Sequence, residues 1–216
     1  MKLICILLLQ CYAALFSSET NNAINFIKQN SGKIKEVLHR LTPEERKIAM
    51  AIVAPEISQY SSASNFLELR ALFISYKNFG KGDFSVGYFQ MKPSFIEALE
   101  KEISANNNLK KKYGSYLLSG AKEEIRSARL KRLSSLEWQL KYLEVFLDVA
   151  RIKTAGMSFK GSVPKLRYWA TLYNSGFHSS PKRVAEMQKR KYFPRKINQY
   201  NYADVAVEFY QLLPPL

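Results

Sequence analysis

Apolar side chains recur at three- and four-residue intervals along most of this chain, and no alternation of period two persists long enough to require a sheet. The strongest start signal is Thr42-Pro43-Glu44-Glu45. Thr42 is placed as an N-cap, Pro43 at the first helical position and Glu45 to complete a capping box. Ile48, Ala49, Ile52 and Val53 follow at helical spacing. Pro55 brings no N–H and sets its ring against the carbonyl of Ala51, so the pattern predicts an interruption there. Glu56 then falls at the frayed or kinked end of a buried helix. A second helix is expected from Asn65 to Asn78, with Phe66, Leu69, Phe73 and Tyr76 inward and Gly80 as its stop. Pro93 opens another, carrying Phe95, Ile96, Leu99 and Ile103. Residues 106–127 are basic and irregular, and read as a loop or flexible excursion. Ser134-Ser135-Leu136-Glu137 suggests a second capping box, ahead of a stripe formed by Leu136, Leu140, Leu143, Leu147 and Ala150. Trp138, Tyr142, Val145 and Phe146 make other faces of that helix apolar too, which predicts a central, buried element. Pro164 begins one more helix, ending at Asn174-Ser175-Gly176, and the segment from Tyr202 to Leu213 is amphipathic. The fold class is therefore mainly α, with room for a short β-hairpin around residues 80-90, where three glycines lie.

The first residues belong to a different pattern. Lys2 precedes an apolar run from Leu3 to Leu9 and again from Tyr12 to Phe16, and small Ser17 and Ser18 lead into polar Glu19-Thr20-Asn21-Asn22. This reads as an export signal over residues 1-18, and the run is short for a membrane span of roughly 20 residues. Residues 19-216 then suit one domain with ample apolar content for a core. Both cysteines, Cys5 and Cys11, lie in the signal, so a cleaved chain has no disulfide. Cys11 as a lipidated residue is an alternative, weakened by Gln10 before it. A periplasmic or secreted monomer is expected, with a membrane-anchored form where the signal is retained. The formal net charge of +15 favours polyanionic surroundings. For an exported chain these are wall polymers and lipid headgroups more readily than nucleic acid, for which no fold signature is present.

Candidate chemistry gathers at three places. Ile52, Val53, Ala54, Pro55 and Ile57 surround Glu56 with apolar groups, and burial of that kind raises a carboxyl pKa towards the range of a general acid. Taken alone, Glu56 is better read as an exposed helix-end glutamate, and it is the two other places that overturn this. The second place is Ser85-Val86-Gly87-Tyr88-Phe89-Gln90, and the third is Leu172-Tyr173-Asn174-Ser175-Gly176. His39 and His178 show no ligand spacing, so neither a metal site nor a cofactor is expected.

In this order the three elements resemble the lysozyme-like lytic transglycosylases, which pair a catalytic Glu at a helix end with Gly-Leu-Met-Gln and Ala-Tyr-Asn-x-Gly stretches. The resemblance implies a lysozyme-like helical domain with a cleft, and peptidoglycan glycan strands as the partner. It implies Glu56 as the catalytic acid and base, Gln90 lining the cleft with Ser85 and Gly87, and Tyr173 beside the carboxyl with Asn174 fixing the turn. Ile57 stands where the family has Ser, Tyr88-Phe89 replaces Leu-Met, and the gap from Glu56 to Gly87 is longer, as if a helix were inserted. The implied reaction cuts the bond between N-acetylmuramic acid and N-acetylglucosamine with closure of a 1,6-anhydro ring, which needs one carboxyl only.

Two other readings stay open on sequence. A hydrolytic, goose-type-like lysozyme needs a second carboxylate, for which Asp83 is the candidate with Glu68 behind it, although Gly82-Asp83 also reads as a turn. A basic exported protein that binds wall glycan, membrane or another polyanion without cutting it would use Lys110 to Lys112 and the run from Lys182 to Lys196. The aromatic residues Tyr192, Phe193, Tyr200, Tyr202, Phe209 and Tyr210 fit sugar stacking and core packing equally well.

Overall fold

The computed structural model describes residues 18–60, 66–195 and 198–216, with the side chains of 66–71 and 195 left aside. The segment read as an export signal, with both cysteines, lies outside the described residues apart from Ser18. The described part is mainly helical: α1 (residues 18–29), α2 (Ser31–Val37), α3 (Pro43–Gln59), α4 (Phe66–Phe79), α5 (Pro93–Ala105), α6 (Asn107–Tyr113), α7 (Lys122–Leu133), α8 (Leu136–Lys153), α9 (Ser162–Ser175), α10 (Pro181–Met187) and α11 (Tyr202–Leu212). The antiparallel pair β1 (Phe193–Arg195) and β2 (Asn198–Tyr200) lies between α10 and α11, with Phe193 opposite Tyr200. Around residues 80-90 a single bridge joins Val86 to Met91 and closes a tight turn.

The local signals explain where most helices begin and end. Thr42 accepts from the backbone N–H of Glu45, and the Glu45 carboxylate accepts from the Thr42 N–H, a closed capping box on α3. Pro93 stands at the head of α5 and Gly80 follows α4 with φ +66°. Ser135 precedes α8 without capping it through its side chain, so the box expected there is absent. Two further expectations are corrected. Pro55 does not interrupt α3, which continues to Gln59; proline removes one hydrogen bond, and the last turn is held by Ser58 Oγ donating to the Pro55 carbonyl at 2.7 Å. Residues 106–127 are not a loop. Asn106 caps α6 through the N–H groups of Asn108 and Leu109, Leu109 and Tyr113 are buried, and α7 brings Arg129 between Glu97 at 3.0 Å and Glu100 at 2.6 Å.

Buried side chains from Ala23 to Leu216 form one connected cluster. α8 runs through it, with Leu140, Tyr142, Leu143, Val145 and Phe146 fully buried. α3 is buried on nearly every side, Ile48 to Pro55 without a break, and it packs against α9 and α11. At its end, Glu56 and Gln59 share a cleft with residues of α5, α9 and β1. Among the described residues no helix is long and apolar enough to cross a membrane.

Candidate functional site

A cleft of about 700 Å³ opens at this junction, lined by Glu56 and Gln59 of α3, Asp83, Ser85 and Gln90 of the following loop, Lys92 and Ser94 at the head of α5, Tyr173 and Asn174 of α9, and Tyr192 to Pro194. Of the residues singled out in the sequence, Glu56, Asp83, Ser85, Gln90, Tyr173 and Asn174 meet here. Gly87 does not line the cleft. Its φ is +72°, and a Cβ there would lie 1.6 Å from Gln139 Nε2 and 2.8 Å from the Leu133 carbonyl. Gly87 serves the packing of the turn instead. The Glu68 side chain is outside the described part.

Glu56 sits in the last turn of α3, half-buried, with buried neighbours on both sides in sequence. Burial pushes its carboxyl up to about 7, against the opposing pull of the Tyr202 hydroxyl and of the Lys92 ammonium. Tyr202 begins α11 and is 1 % exposed. Its hydroxyl donates to the Ile52 carbonyl at 2.8 Å and also lies in hydrogen-bonding contact with Glu56. A hydroxyl has one proton, so the two acceptors compete for it. With the proton on Ile52, the Tyr202 oxygen accepts from protonated Glu56; with Glu56 ionised, the proton turns to the carboxylate. Both protonation states of the acid therefore find a partner in the same hydroxyl. Burial and the nearness of Glu56 hold the hydroxyls of Tyr202 and Tyr173 well above the usual tyrosine range, so both stay protonated.

The Gly87–Gln90 turn is fixed from three directions. The Phe89 N–H donates to Gln139 Oε1 at 2.9 Å, the Phe89 carbonyl accepts from the Tyr173 hydroxyl at 2.7 Å, and Gln90 Nε2 returns to the Gly87 carbonyl at 2.7 Å. Tyr173 thus spends its proton on the turn while its ring stands near the acid. Gln90 has φ +48°, the one non-glycine residue with positive φ among those described. Such backbone costs on the order of 1 kcal/mol and persists where the surroundings over-determine it, often at a ligand site. Asn174 Oδ1 accepts from the Tyr192 hydroxyl at 2.6 Å, joining α9 to the loop before β1.

Asp83 accepts from Ser94 Oγ at 2.6 Å and faces Lys92 Nζ at 3.4 Å, so its carboxylate is engaged across the head of α5. His178 is exposed at the cleft edge, its ring tilted against Phe177 and 3.6 Å from Glu102. No group of three His, Cys, Asp or Glu side chains converges among the described residues.

Two members of the site were not read from the sequence as such. Tyr202 was one of a cluster of aromatics, and nothing local joins it to Glu56. Gln59 follows Glu56 by three positions, which is one helical turn, and that spacing alone could have placed it on the same face. Its Nε2 is buried without a hydrogen-bond partner, an amide donor at the cleft wall. In chemical terms the cleft offers a carboxyl that can give and take a proton near neutrality, amides from Gln59, Gln90 and Asn174, and aromatic walls. No protein-family model, curated protein or solved structure matches this chain.

Proposed function

We propose that the chain cleaves the β-1,4 bond between N-acetylmuramic acid and N-acetylglucosamine in bacterial wall glycan, as a lytic transglycosylase of lysozyme-like type. The observation that carries this reading is a glutamate pushed up to about 7, set in the wall of an open, amide-rich cleft. Protonated Glu56 donates to the glycosidic oxygen, and the C1–O bond breaks with oxocarbenium character. The acetamido carbonyl of the substrate supports C1. Ionised Glu56 then takes the proton of the muramyl C6 hydroxyl as that oxygen bonds to C1, which returns the enzyme to its starting state. A group that must act first as acid and then as base works best with a pKa near the working pH, which is where burial holds Glu56.

The state of Asp83 favours this route over hydrolysis. Inversion requires a second carboxylate free to activate water across the cleft. Asp83 is the one in reach by sequence, and it is engaged by Ser94 and Lys92. The test is a digest of purified wall glycan by the protein and its Glu56→Gln variant, with products read by mass spectrometry. Anhydro-muramyl ends from the parent alone are expected. Ordinary reducing ends would make the enzyme a hydrolase, and products that persist in Glu56→Gln would remove Glu56 from the chemistry.

A further inference from the structure

From Thr171 to Ala203 the chain carries seven cations and one acid, Glu186. Elsewhere several cations face acids across the surface, as Lys77 with Glu123, Lys153 with Glu102 and Arg167 with Asp204. On α10 and the turn that follows it, Lys182, Lys189, Arg190 and Lys191 are exposed and have no ion pair among the described residues, and Arg183 reaches Glu186 only at 3.8 Å. Clustered like charge without acids repels itself, which opposes the compact state unless a counter-charge is supplied.

The backbone under these charges is tied down. Asn201 is 5 % exposed, and its amide donates to the carbonyls of Met187 at 2.9 Å and Arg190 at 2.8 Å. The same side chain caps α11 by accepting from Ala203 and Asp204. Tyr192, next after Lys191, gives its N–H to the Tyr200 carbonyl and its hydroxyl to Asn174, and it lines the cleft. The cations therefore stand on a fixed shelf that is continuous with one wall of the cleft.

We infer that this shelf, α10 and the turn leading into β1, is a subsite for the carboxylate-bearing peptide stems of the glycan strand whose sugars occupy the cleft. The inference rests on the glycan-cleaving reading of that cleft. Stems branch from alternate sugars of such a strand, so a strand lying in the cleft carries its carboxylates past the Tyr192 wall. Lysine and arginine heads held beside that path bind them by charge-assisted hydrogen bonds. The shelf gives preference for glycan that still bears stems.

Binding is measured on the Glu56→Gln protein by co-sedimentation with insoluble wall glycan, either intact, stripped of stems by an amidase, or freed of phosphate polymers by acid. A triple reversal, Lys182→Glu with Lys189→Glu and Lys191→Glu, is compared with a charge-matched reversal of exposed Lys110, Lys111 and Lys122. At low salt the shelf variant is expected to bind intact glycan at least about tenfold more weakly, the matched variant about twofold at most, and the difference is expected to vanish on stem-free glycan. Equal losses in the two variants, a loss that persists without stems, or one that disappears with the phosphate polymers would each overturn the inference. Circular dichroism checks folding, and a Lys→Gln triple at the same shelf positions replaces any variant that fails it. Because no turnover is needed, the shelf effect is read separately from the chemistry: glycan digests that lack Glu56-dependent products would defeat the cleavage reading while leaving the binding result to stand on its own.

Discussion

At Glu56 the surroundings that raise the pKa also set a cost. A carboxyl that titrates at about 7 in the fold, against an ordinary value of 4.5, holds its proton more tightly in the native chain than in the unfolded one. Between those pH values the native state keeps a proton that the unfolded state has released, so stability falls as pH rises through the window, by on the order of 3 kcal/mol in all. Glutamine cannot titrate. Glu56→Gln is therefore expected to match the parent below about pH 4.5 and to exceed it at pH 8 by about 2–3 kcal/mol, several degrees in melting temperature for a chain of this size. Thermal unfolding of both proteins at the two pH values measures this; the other carboxylates are common to both and cancel in the difference. Equal melting temperatures at pH 8 would mean that Glu56 is not held against ionisation. The apolar flank of Glu56 was legible in the sequence because Ile52 to Ile57 are adjacent to it. Tyr202 was not, because its bond to Ile52 spans 150 positions and only packing of α11 on α3 makes it.

The elements that were legible are those whose ends are written locally, such as the Thr42–Glu45 box, Pro93 and Gly80. Those misread depend on contacts from elsewhere: α7 is secured by Arg129 reaching Glu97 and Glu100 on α5, and the basic run of α6 by the burial of Leu109 and Tyr113. The Gly87–Gln90 turn combines both kinds. Its glycine was visible, but its holder is Gln139 of α8, fully buried, with Oε1 on the Phe89 N–H and Nε2 on the Leu133 carbonyl at 2.5 Å. Gly87→Ala sets a Cβ 1.6 Å from that Nε2 at φ +72°. It is expected to cost about 3 kcal/mol or more, since Gln139 must leave two buried groups unpaired. Gly161→Ala is the control, with φ +96°, ψ −176° and open space around the added Cβ, and should cost about 2 kcal/mol for the backbone alone. Urea unfolding of both variants tests the difference. Similar losses would show that the turn yields and that Gln139 does not fix it.

On the scale of the whole molecule, the sum of charge was plain from composition but its distribution was not. The run at Lys110 to Lys112 and the run from Lys182 look alike in sequence. In the fold Lys112 is spent on Asp148 at 2.7 Å and lies 3.5 Å from Glu144, whereas the shelf on α10 has almost no acid near it. A chain of net charge +15 is destabilised by its own repulsion and drawn to a polyanion by the same field. Salt weakens both, since the screening length falls to about 10 Å at 0.1 M and about 3 Å at 1 M. Raising salt is thus expected to increase the melting temperature slightly while slowing attack on insoluble wall glycan severalfold. Cleavage of a short, stem-free glycan oligosaccharide should change little, because such a substrate meets the cleft and not the shelf. Turnover assays on the two substrates across the salt range, beside thermal unfolding in the same buffers, separate these effects. A wall digest indifferent to salt would mean that the excess charge has no part in holding the substrate.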